Sequence, residues 1–203
     1  MKVKVPKIIK RIYPGFVWHF SREEGAVYLT FDDGPRPEVT PWVLEQLGKY
    51  GAKATFFCIG KNVELFPDLF EEVKRRGHAV GNHSYSHIKG WGVPTGDYVR
   101  DIDIASDMIN SNLLRPPYAR ITPAQARVLS ERYKIVMWSI ISRDYNRKLS
   151  AEQCAGNVIK ELEAGDIIVF HDSIKCAPNL FEALPVVLEE IKRRNLVCRR
   201  IDL

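Results

Sequence analysis

Two adjacent carboxylates close a run of strand-forming residues in the stretch VYLTFDDGP, residues 27–35, where Asp32 and Asp33 precede a Gly-Pro turn. Neighbouring carboxylates repel each other, and burial at a strand end removes the water that hydrates their charge. A divalent cation would compensate for both, because one carboxylate can coordinate the ion while its neighbour stays free as a base. The alternative is an ordinary turn in which an aspartate accepts backbone hydrogen bonds. The pair alone is therefore weak support for catalysis.

Two imidazoles strengthen the case for a metal. The segment HSYSH at 83–87 places His83 and His87 four residues apart, which can bring both rings to one side of a helical turn or of a tight loop. Two imidazoles with one carboxylate make an open ligand set for a divalent ion. An isolated H-x-x-x-H pair is more often incidental, but three of the five histidines, His171 included, follow predicted strands. We therefore predict a metal site.

The predicted elements explain how such distant residues would meet. Strand-like runs alternate with helix-like runs along the chain, which predicts a mainly parallel sheet with surrounding helices. The fold is then α/β, either an irregular (β/α) barrel of seven or eight strands or an open doubly wound sheet, and the strand number favours the barrel. The carboxyl ends of barrel strands converge on one face. That face would collect the polar residues that follow predicted strands, namely Asp32, Asp33, His83, His87, Arg115, Asp144 and His171.

Local signals predict where several elements begin. Thr40 before a proline is typical of a helix N-cap followed by the first helical turn. Ser150 and Gln153 have the spacing of a capping box, which predicts another helix start. The run YKIVMWS at 133–139 predicts one continuous strand.

Length and composition predict a single globular domain. The chain has 203 residues, of which 45% are apolar and 27% charged. We assign the domain to residues 25–203 and expect residues 1–24 to pack on the barrel. No apolar run approaches the ~20 residues that span a bilayer and the N-terminus has no apolar signal core, so we predict a cytoplasmic protein. The basic residues within 2–11 suit contact with the inner membrane surface or, preferably, packing on the barrel.

Neither the cysteines nor the net charge indicates a second function. The cysteines are far apart and form no C-x-x-C pair, which predicts reduced, mostly buried thiols at Cys58, Cys154, Cys176 and Cys198. The net charge of +5 is modest and is spread over short basic runs. A nucleic-acid-binding module is disfavoured, because the chain has no recognised motif for it and no aromatic residues at regular spacing among its basic ones.

Five ordered motifs resemble those of the polysaccharide deacetylases of carbohydrate esterase family 4, also called the NodB-homology domain. They are TFDDG at 30–34, HSYSH at 83–87, RPPY at 115–118, WSIISRDY at 138–145 and IVFHD at 168–172. The resemblance covers about residues 25–200, nearly the whole chain. It implies a metal-dependent enzyme that removes N-acetyl groups from an amino sugar in a glycan or glycan intermediate and releases acetate.

The resemblance also implies a role for the residues on the metal side. Asp33, His83 and His87 are the expected ligands of one divalent ion, for which zinc is expected and cobalt, nickel or iron are alternatives. Asp32 would be the general base, and Arg115 would orient it. On residue type alone, Arg115 could equally form a surface salt bridge.

The other implied roles concern the oxyanion and the leaving group. His171 would be the general acid, tuned by Asp144. The backbone N–H of Tyr118, beside Pro117 in a substrate-binding loop, would donate to the oxyanion. Without the resemblance, a satisfied core histidine explains His171 equally well, and a core aromatic is the better explanation of Tyr118.

The fourth motif departs from the family pattern. Many members have an aspartate at the position of Ile141 and a tryptophan at that of Tyr145, whereas Val169 in the fifth motif replaces a leucine conservatively. The missing carboxylate would alter the support of the general acid or of Arg115. Tyr145 and Trp91 are candidate platforms for sugar rings, with core packing as the alternative.

The implied reaction has two rivals. An O-acetyl sugar esterase needs the same nucleophile and oxyanion stabilisation, but its alkoxide leaving group depends less on a general acid. A non-catalytic carbohydrate-binding barrel would account for Ile141, although the intact Asp32 and His171 argue against it. The preferred interpretation predicts an N-acetylated amino-sugar glycan as the partner, the esterase an O-acetylated sugar, and the non-catalytic barrel a carbohydrate.

Overall fold

The computed structural model describes residue 11 and residues 13–203. The basic segment at 2–11 therefore lies outside the described residues except for Arg11. Within the described part, Trp18 is buried and its indole Nε1–H donates to the carbonyl oxygen of Tyr13, 3.1 Å away. The division at residue 24 stays a prediction.

The described residues form eight strands, all paired in parallel, and seven α-helices. The strands are β1 (Ala26–Asp32), β2 (Ala54–Cys58), β3 (Ala79–Asn82), β4 (Leu113–Leu114), β5 (Lys134–Ile135), β6 (Ile140–Ile141), β7 (Ile167–His171) and β8 (Val197–Cys198). The helices are α1 (Thr40–Lys49), α2 (Gly60–Leu65), α3 (Pro67–Arg75), α4 (Thr95–Ile109), α5 (Pro123–Leu129), α6 (Ala151–Ile159) and α7 (Ala177–Arg193).

The strands form a curled half-barrel in the order β5-β4-β3-β2-β1-β7-β6, while β8 pairs with the start of β1. Helices surround this sheet, which confirms the predicted irregular (β/α) barrel. Between the two ends of the sheet, Val17 pairs with Val136, which follows β5, and His19 pairs with Asp166, which precedes β7. Residues 17–19 thus connect the two ends of the half-barrel.

The central strands of the sheet are buried on both faces. Every residue of β1 and β2 is buried, and the rings of Phe56 and Phe170 stack on Phe31 from the neighbouring strands, with centroids 5.0 and 6.2 Å away. A parallel strand that is covered on both faces has a nearly continuous apolar sequence, as β1 has. This rigid centre fixes the position of Asp32 at the carboxyl end of β1.

Two local predictions are wrong, each because a distant partner takes over. Thr40 does not cap α1: Val39 occupies the N-cap, and the Thr40 hydroxyl donates to Asp172, 2.6 Å away. The predicted strand at 133–139 is interrupted, because only its β5 part pairs with β4. The chain then crosses to β7, where the Ser139 N–H donates to the carbonyl oxygen of Ile167.

Other local predictions are confirmed. The capping box of Ser150 and Gln153 starts α6 with both reciprocal hydrogen bonds. All four cysteines are buried and unpaired, as expected for reduced thiols. In the part of the chain that the structure describes, no helix combines the length and apolarity required to cross a bilayer.

Candidate metal and hydrolytic centre

A cavity of about 790 Å³ opens at the carboxyl ends of the barrel strands. Five of the residues selected from the sequence line it directly, namely Asp32, Asp33, His83, His87 and His171. Tyr118 and Tyr145 line it as well, whereas Arg115 and Asp144 are fully buried behind it. The topology therefore brings together residues that lie up to 139 positions apart in the chain, the separation of Asp32 from His171.

The first group in this cavity is Asp33 with the two histidines of HSYSH. Asp33 Oδ1 lies 3.1 Å from His87 Nε2 and 3.7 Å from His83 Nε2. This carboxylate oxygen is buried and accepts no hydrogen bond from the described residues. A buried acceptor without a donor is costly, and an oxygen flanked by two imidazole nitrogens is a suitable donor set for a divalent cation. The residues therefore fit a metal ion.

Electrostatics prepare the same residues for a cation. Burial raises the pKa of Asp33, but the neighbouring imidazoles of His87, His171 and His83 outweigh it, and the net shift is downward. Burial lowers the pKa of His83 to about 4. Both groups are therefore in their ligand forms at neutral pH, an ionised carboxylate and a neutral imidazole.

Two of the three candidate ligands, His83 and Asp33, are also positioned by a hydrogen bond. His83 Nδ1–H donates to the carbonyl oxygen of Arg115 at 2.6 Å, which leaves its Nε2 lone pair for the cavity. The side-chain amide of Asn62 donates to the backbone oxygen of Asp33 at 2.7 Å and holds that residue at a φ of 79°.

Asp101 organises the HSYSH loop, and sequence reasoning missed it. Its Oδ1 accepts hydrogen bonds from the backbone N–H groups of Tyr85 and Ser86, and its Oδ2 accepts one from the Ser86 hydroxyl. The loop needs this support because His87 has a left-handed φ of 60°. Since Asp101 lies within the amphipathic helix α4, nothing local distinguished it from a solvated charge.

Asp32 forms a buried ion pair with Arg115. The guanidinium Nη1 donates to Asp32 Oδ1 at 2.7 Å and to the Thr30 hydroxyl at the same distance. Its other nitrogens donate to the carbonyl oxygens of Val136 and Met137. Arg115 is 0% exposed, so the alternative of a surface salt bridge is wrong. A guanidinium held by four acceptors is a rigid support for the carboxylate.

The Phe57 ring covers the Arg115 guanidinium, whose central carbon lies 4.1 Å from the ring centroid. Burial lowers the pKa of Arg115, while the charge and hydrogen bond of Asp32 act in the opposite direction. The arginine retains its proton because its unperturbed pKa is far above the neutral range. A permanent positive charge therefore stands behind Asp32.

At the end of the neighbouring strand β7, which forms the second wall of the cavity, Asp144 holds His171. The imidazole Nδ1–H donates to Asp144 Oδ1 at 2.7 Å, and the backbone N–H of His171 donates to Oδ2 at 2.8 Å. Burial by itself would lower the pKa of His171, but the charge and hydrogen bond of Asp144 raise it to about 10. His171 is thus an imidazolium at neutral pH, with Nδ1 engaged and Nε2 as the remaining donor.

Tyr118 and Pro117 lie in a tight turn that follows β4. Pro117 is buried, whereas Tyr118 is 62% exposed, so the core-aromatic explanation of Tyr118 is wrong. Its backbone φ is 58°, and its ring lies against that of His87 with centroids 4.6 Å apart. The turn therefore brings the Tyr118 backbone close to the metal-ligand residues.

The residues at the departures from the family pattern lie in the cavity wall. Ile141 and Val169 line it, and the edge of the Tyr145 ring meets the His171 ring with centroids 5.4 Å apart. Trp91 is 54% exposed, which suits a platform for a sugar better than core packing.

Asp172, next to the proposed acid, is a further residue to which the sequence assigned no role. Its Oδ2 accepts from Thr40, and its backbone N–H donates to the carbonyl oxygen of Asp32 at 3.0 Å. A Cβ at position 34 would overlap its carboxylate, so Gly34 is required. Burial raises the pKa of Asp172 to about 7. Asp172 therefore links the two walls of the site. In the sequence, the only indication of this role is that Asp172 directly follows His171.

Comparison with known proteins agrees with these features. A family model described as Polysaccharide deacetylase matches residues 21–134. A peptidoglycan-N-acetylglucosamine deacetylase of Bacillus cereus is 33% identical over 196 residues, which cover 89% of this chain and 89% of that protein. A second protein of the same description and organism is 35% identical over 157 residues, covering 74% of this chain and 57% of its own length.

A solved structure has the same architecture. It is the crystal structure of a peptidoglycan N-acetylglucosamine deacetylase in complex with 4-naphthalen-1-yl-N-oxidanyl-benzamide, with a TM-score of 0.89 and 28% sequence identity. The match covers 97% of this chain and 95% of that one. The similarity therefore extends over both walls of the cavity.

Proposed function

The chain belongs to the polysaccharide deacetylase family, and from this premise we propose that it is a metal-dependent hydrolase that removes N-acetyl groups from an amino sugar of a glycan. One observation carries the proposal. Asp32, with the permanent cation Arg115 behind it, and the imidazolium of His171, with a buried carboxylate behind it, end the adjacent strands β1 and β7 and line one cavity, with the candidate metal ligands beside them. Amide hydrolysis needs a base and an acid in this arrangement.

We assign the metal to Asp33, His83 and His87, and zinc is the ion we propose because imidazole and carboxylate suit it. When bound, a divalent ion lowers the pKa of a coordinated water and polarises the acetyl carbonyl. The protein supplies the ligands in the protonation states that binding requires, as the downward pKa shifts of Asp33 and His83 indicate.

Asp32 would accept the proton of the attacking water. Arg115 occupies Asp32 Oδ1, so the carboxylate is held in one orientation. The four acceptors around Arg115 keep this arrangement in place without substrate. The base is thus preorganised rather than assembled during the reaction.

His171 would protonate the departing nitrogen through Nε2, since Nδ1 is engaged by Asp144. An amine is a poor leaving group unless it is protonated, so this step distinguishes amide from ester hydrolysis. The backbone N–H of Tyr118 would donate to the developing oxyanion together with the metal charge. The products are acetate and a free amine on the sugar.

The experiment that tests this function is acetate release from matched N-acetylated and O-acetylated sugars by metal-stripped protein reloaded with zinc or cobalt. We expect release from N-acetyl substrates that depends on metal and is lost in Asp32→Asn. Release from O-acetyl substrates alone would favour the esterase, and tight glycan binding without any release would favour the non-catalytic barrel.

The cellular location belongs to the same proposal. We keep the cytoplasmic location, with the acceptor glycan reached at the inner membrane surface, as a prediction from the sequence. Fractionation of cells that express a tagged copy checks it, and recovery of the protein outside the cytoplasmic fraction would contradict it.

A further inference from the structure

Three cationic side chains line the cavity around the proposed centre, namely Arg36, Arg120 and Lys175. We call this set the cationic rim. Each stands on a different loop: Arg36 between β1 and α1, Arg120 after the turn that follows β4, and Lys175 between β7 and α7. The positive charges are therefore distributed around the cavity rather than clustered on one element.

The same loops carry the residues of the proposed reaction. Arg36 follows Asp33 by three positions, and Lys175 follows His171 by four. Arg120 follows Tyr118, whose ring contacts a metal-ligand histidine, by two positions. The rim residues therefore lie close to the residues that would bind the acetyl group. A ligand of the rim would then be a neighbouring part of the same substrate.

Two of the three rim charges have no acidic partner among the described residues, and the third is only partly paired. Within residue 11 and residues 13–203, Arg120 and Lys175 have no carboxylate within salt-bridge distance. Arg36 approaches Glu38 at 3.5 Å, but its Nε is buried and has no hydrogen-bond partner in this part of the chain. These donors are therefore available to a ligand.

The acidic residues of the cavity cannot serve as rim partners. The carboxylates among its described lining residues are Asp32 and Asp33. Asp32 is paired with Arg115, and Asp33 lies between two imidazoles. Positive charge at the cavity entrance thus exceeds negative charge, which attracts anions and raises their association rate.

Aromatic rings hold two of the rim side chains in place. The guanidinium carbon of Arg120 lies 5.4 Å from the centroid of the exposed Trp91 ring, and that of Arg36 lies 5.5 Å from the centroid of Phe66. Stacking of this kind orients a guanidinium while its N–H donors stay free for an anion. Trp91 also offers an exposed ring face beside the charge, a combination that suits a charged sugar.

We propose that the cationic rim recognises an anionic group next to the acetylated sugar, so that the preferred substrate is an acidic amino-sugar glycan rather than a neutral one. This inference rests on the proposed function, since it places the anion on the deacetylated glycan itself. The shared chemistry is an oxyanion, from either a carboxylate on the neighbouring sugar or a phosphate at the end of the glycan. Both present several acceptors to Arg and Lys donors.

The test compares three N-acetylglucosamine oligomers of equal length: a neutral one, one with a carboxylate on the sugar next to the reaction site, and one with a terminal phosphate. With zinc-loaded protein at low ionic strength, we expect kcat/KM to be about tenfold higher for one of the anionic oligomers than for the neutral one. The preferred anion identifies the source. Salt at about 1 M should remove most of the preference, because it screens exposed charges.

Substitutions in the cationic rim test whether the rim causes the preference for anionic oligomers. Arg120→Gln and Lys175→Gln should each lower the ratio of anionic to neutral kcat/KM about three- to tenfold, mainly through KM. Lys160→Gln removes the same charge from an exposed residue that does not line the cavity and should leave the ratio unchanged. An equal effect of Lys175→Gln and Lys160→Gln would overturn the assignment.

A binding measurement separates the two proposals. Calorimetry with zinc-loaded Asp32→Asn measures the affinity for the three oligomers without turnover. Equal affinity for neutral and anionic oligomers, unaffected by Lys175→Gln, overturns the rim inference even if acetate is released. Preferential binding of an anionic oligomer that Lys175→Gln abolishes supports the rim, even if no oligomer yields acetate and the deacetylase proposal fails.

Discussion

The two walls of the cavity use the same pair of charges in opposite ways. On one wall the buried Arg115 guanidinium contacts Asp32, on the other the buried Asp144 carboxylate contacts His171, and both contacts are 2.7 Å long. In the first pair the anion faces the cavity and the cation supports it. In the second pair the cation faces the cavity and the anion supports it. In the proposed mechanism, the same kind of charge pair thus holds Asp32 as the base and His171 as the acid.

The cations of the two pairs differ in how they respond to pH. Arg115 keeps its charge across the accessible range, although burial lowers its pKa. His171 can lose its proton, and Asp144 raises its pKa to about 10 against the opposing effect of burial. Arg115, the cation behind the proposed base, is therefore permanently charged, whereas His171, the cation of the second pair, is titratable.

The largest effect is expected from removing the titratable cation. His171→Gln deletes the proposed acid, so kcat for an N-acetyl substrate should fall by about 10²- to 10⁴-fold. The loss on an O-acetyl substrate should be smaller, because an alkoxide depends less on protonation. Steady-state kinetics on both substrates check this, and equal losses would indicate that His171 only supports the structure.

Removing Arg115, the permanently charged cation, should strongly affect the stability of the fold. Arg115→Met leaves the Asp32 carboxylate buried without its partner, which should lower the free energy of unfolding by about 3–5 kcal/mol. Urea unfolding measures the change. Arg132→Met is a matched control, since Arg132 contacts Asp103 at 2.6 Å on the surface and its loss should cost only about 0–1 kcal/mol. Similar costs for both variants would contradict the comparison.

Removing the support of the acid should move the pH profile. In Asp144→Asn the pKa of His171 loses the interaction that raises it, while the burial that lowers it remains. The acid form should therefore be lost at lower pH, and activity at pH 8.5 relative to pH 6 should fall about tenfold or more. A pH–rate profile with an unchanged alkaline limb would contradict this assignment.

The same pair should make stability depend on pH. Because the folded-state pKa of His171, about 10, lies above its ordinary value of 6.5, the pair stabilises the fold fully below about pH 6.5. This contribution is lost as pH rises through about 10. Asp144→Asn should remove that part of the alkaline destabilisation seen in urea unfolding.

The smallest effect is expected from the hydrogen bond between Thr40 and Asp172, the residue that connects the two walls. Thr40→Val removes the hydroxyl that donates to Asp172 at 2.6 Å and should destabilise the protein by about 1–2 kcal/mol. Thr40→Ser keeps the hydroxyl and should recover most of this loss. Thermal unfolding of both variants measures these differences, and equal stability of the serine and valine variants would contradict a contribution from this buried hydrogen bond.

The sequence predicted the residues at the strand ends, the supporting Arg115 and Asp144 included, but not the support that Asp101 gives to the HSYSH loop. Asp33, His83, His87 and His171 were identifiable because polar residues directly after apolar strand runs are unusual and because a parallel barrel gathers strand ends on one face. The role of Asp101 was not identifiable, since its three hydrogen bonds to the HSYSH loop start from a residue within helix α4. Periodicity identifies a helix face but not what each polar residue on it contacts.

By itself, the sequence determined the alternation of strands and helices, the capping box that starts α6, and the residue types that face the cavity, because these depend on local periodicity and on chemistry within a few positions. Only the tertiary structure decided which partners those residues meet. Arg115 bonds to Thr30 across 85 positions, and Thr40 bonds to Asp172 across 132. Buried polar groups take whichever partner the packed fold brings within reach, and no local pattern encodes that choice.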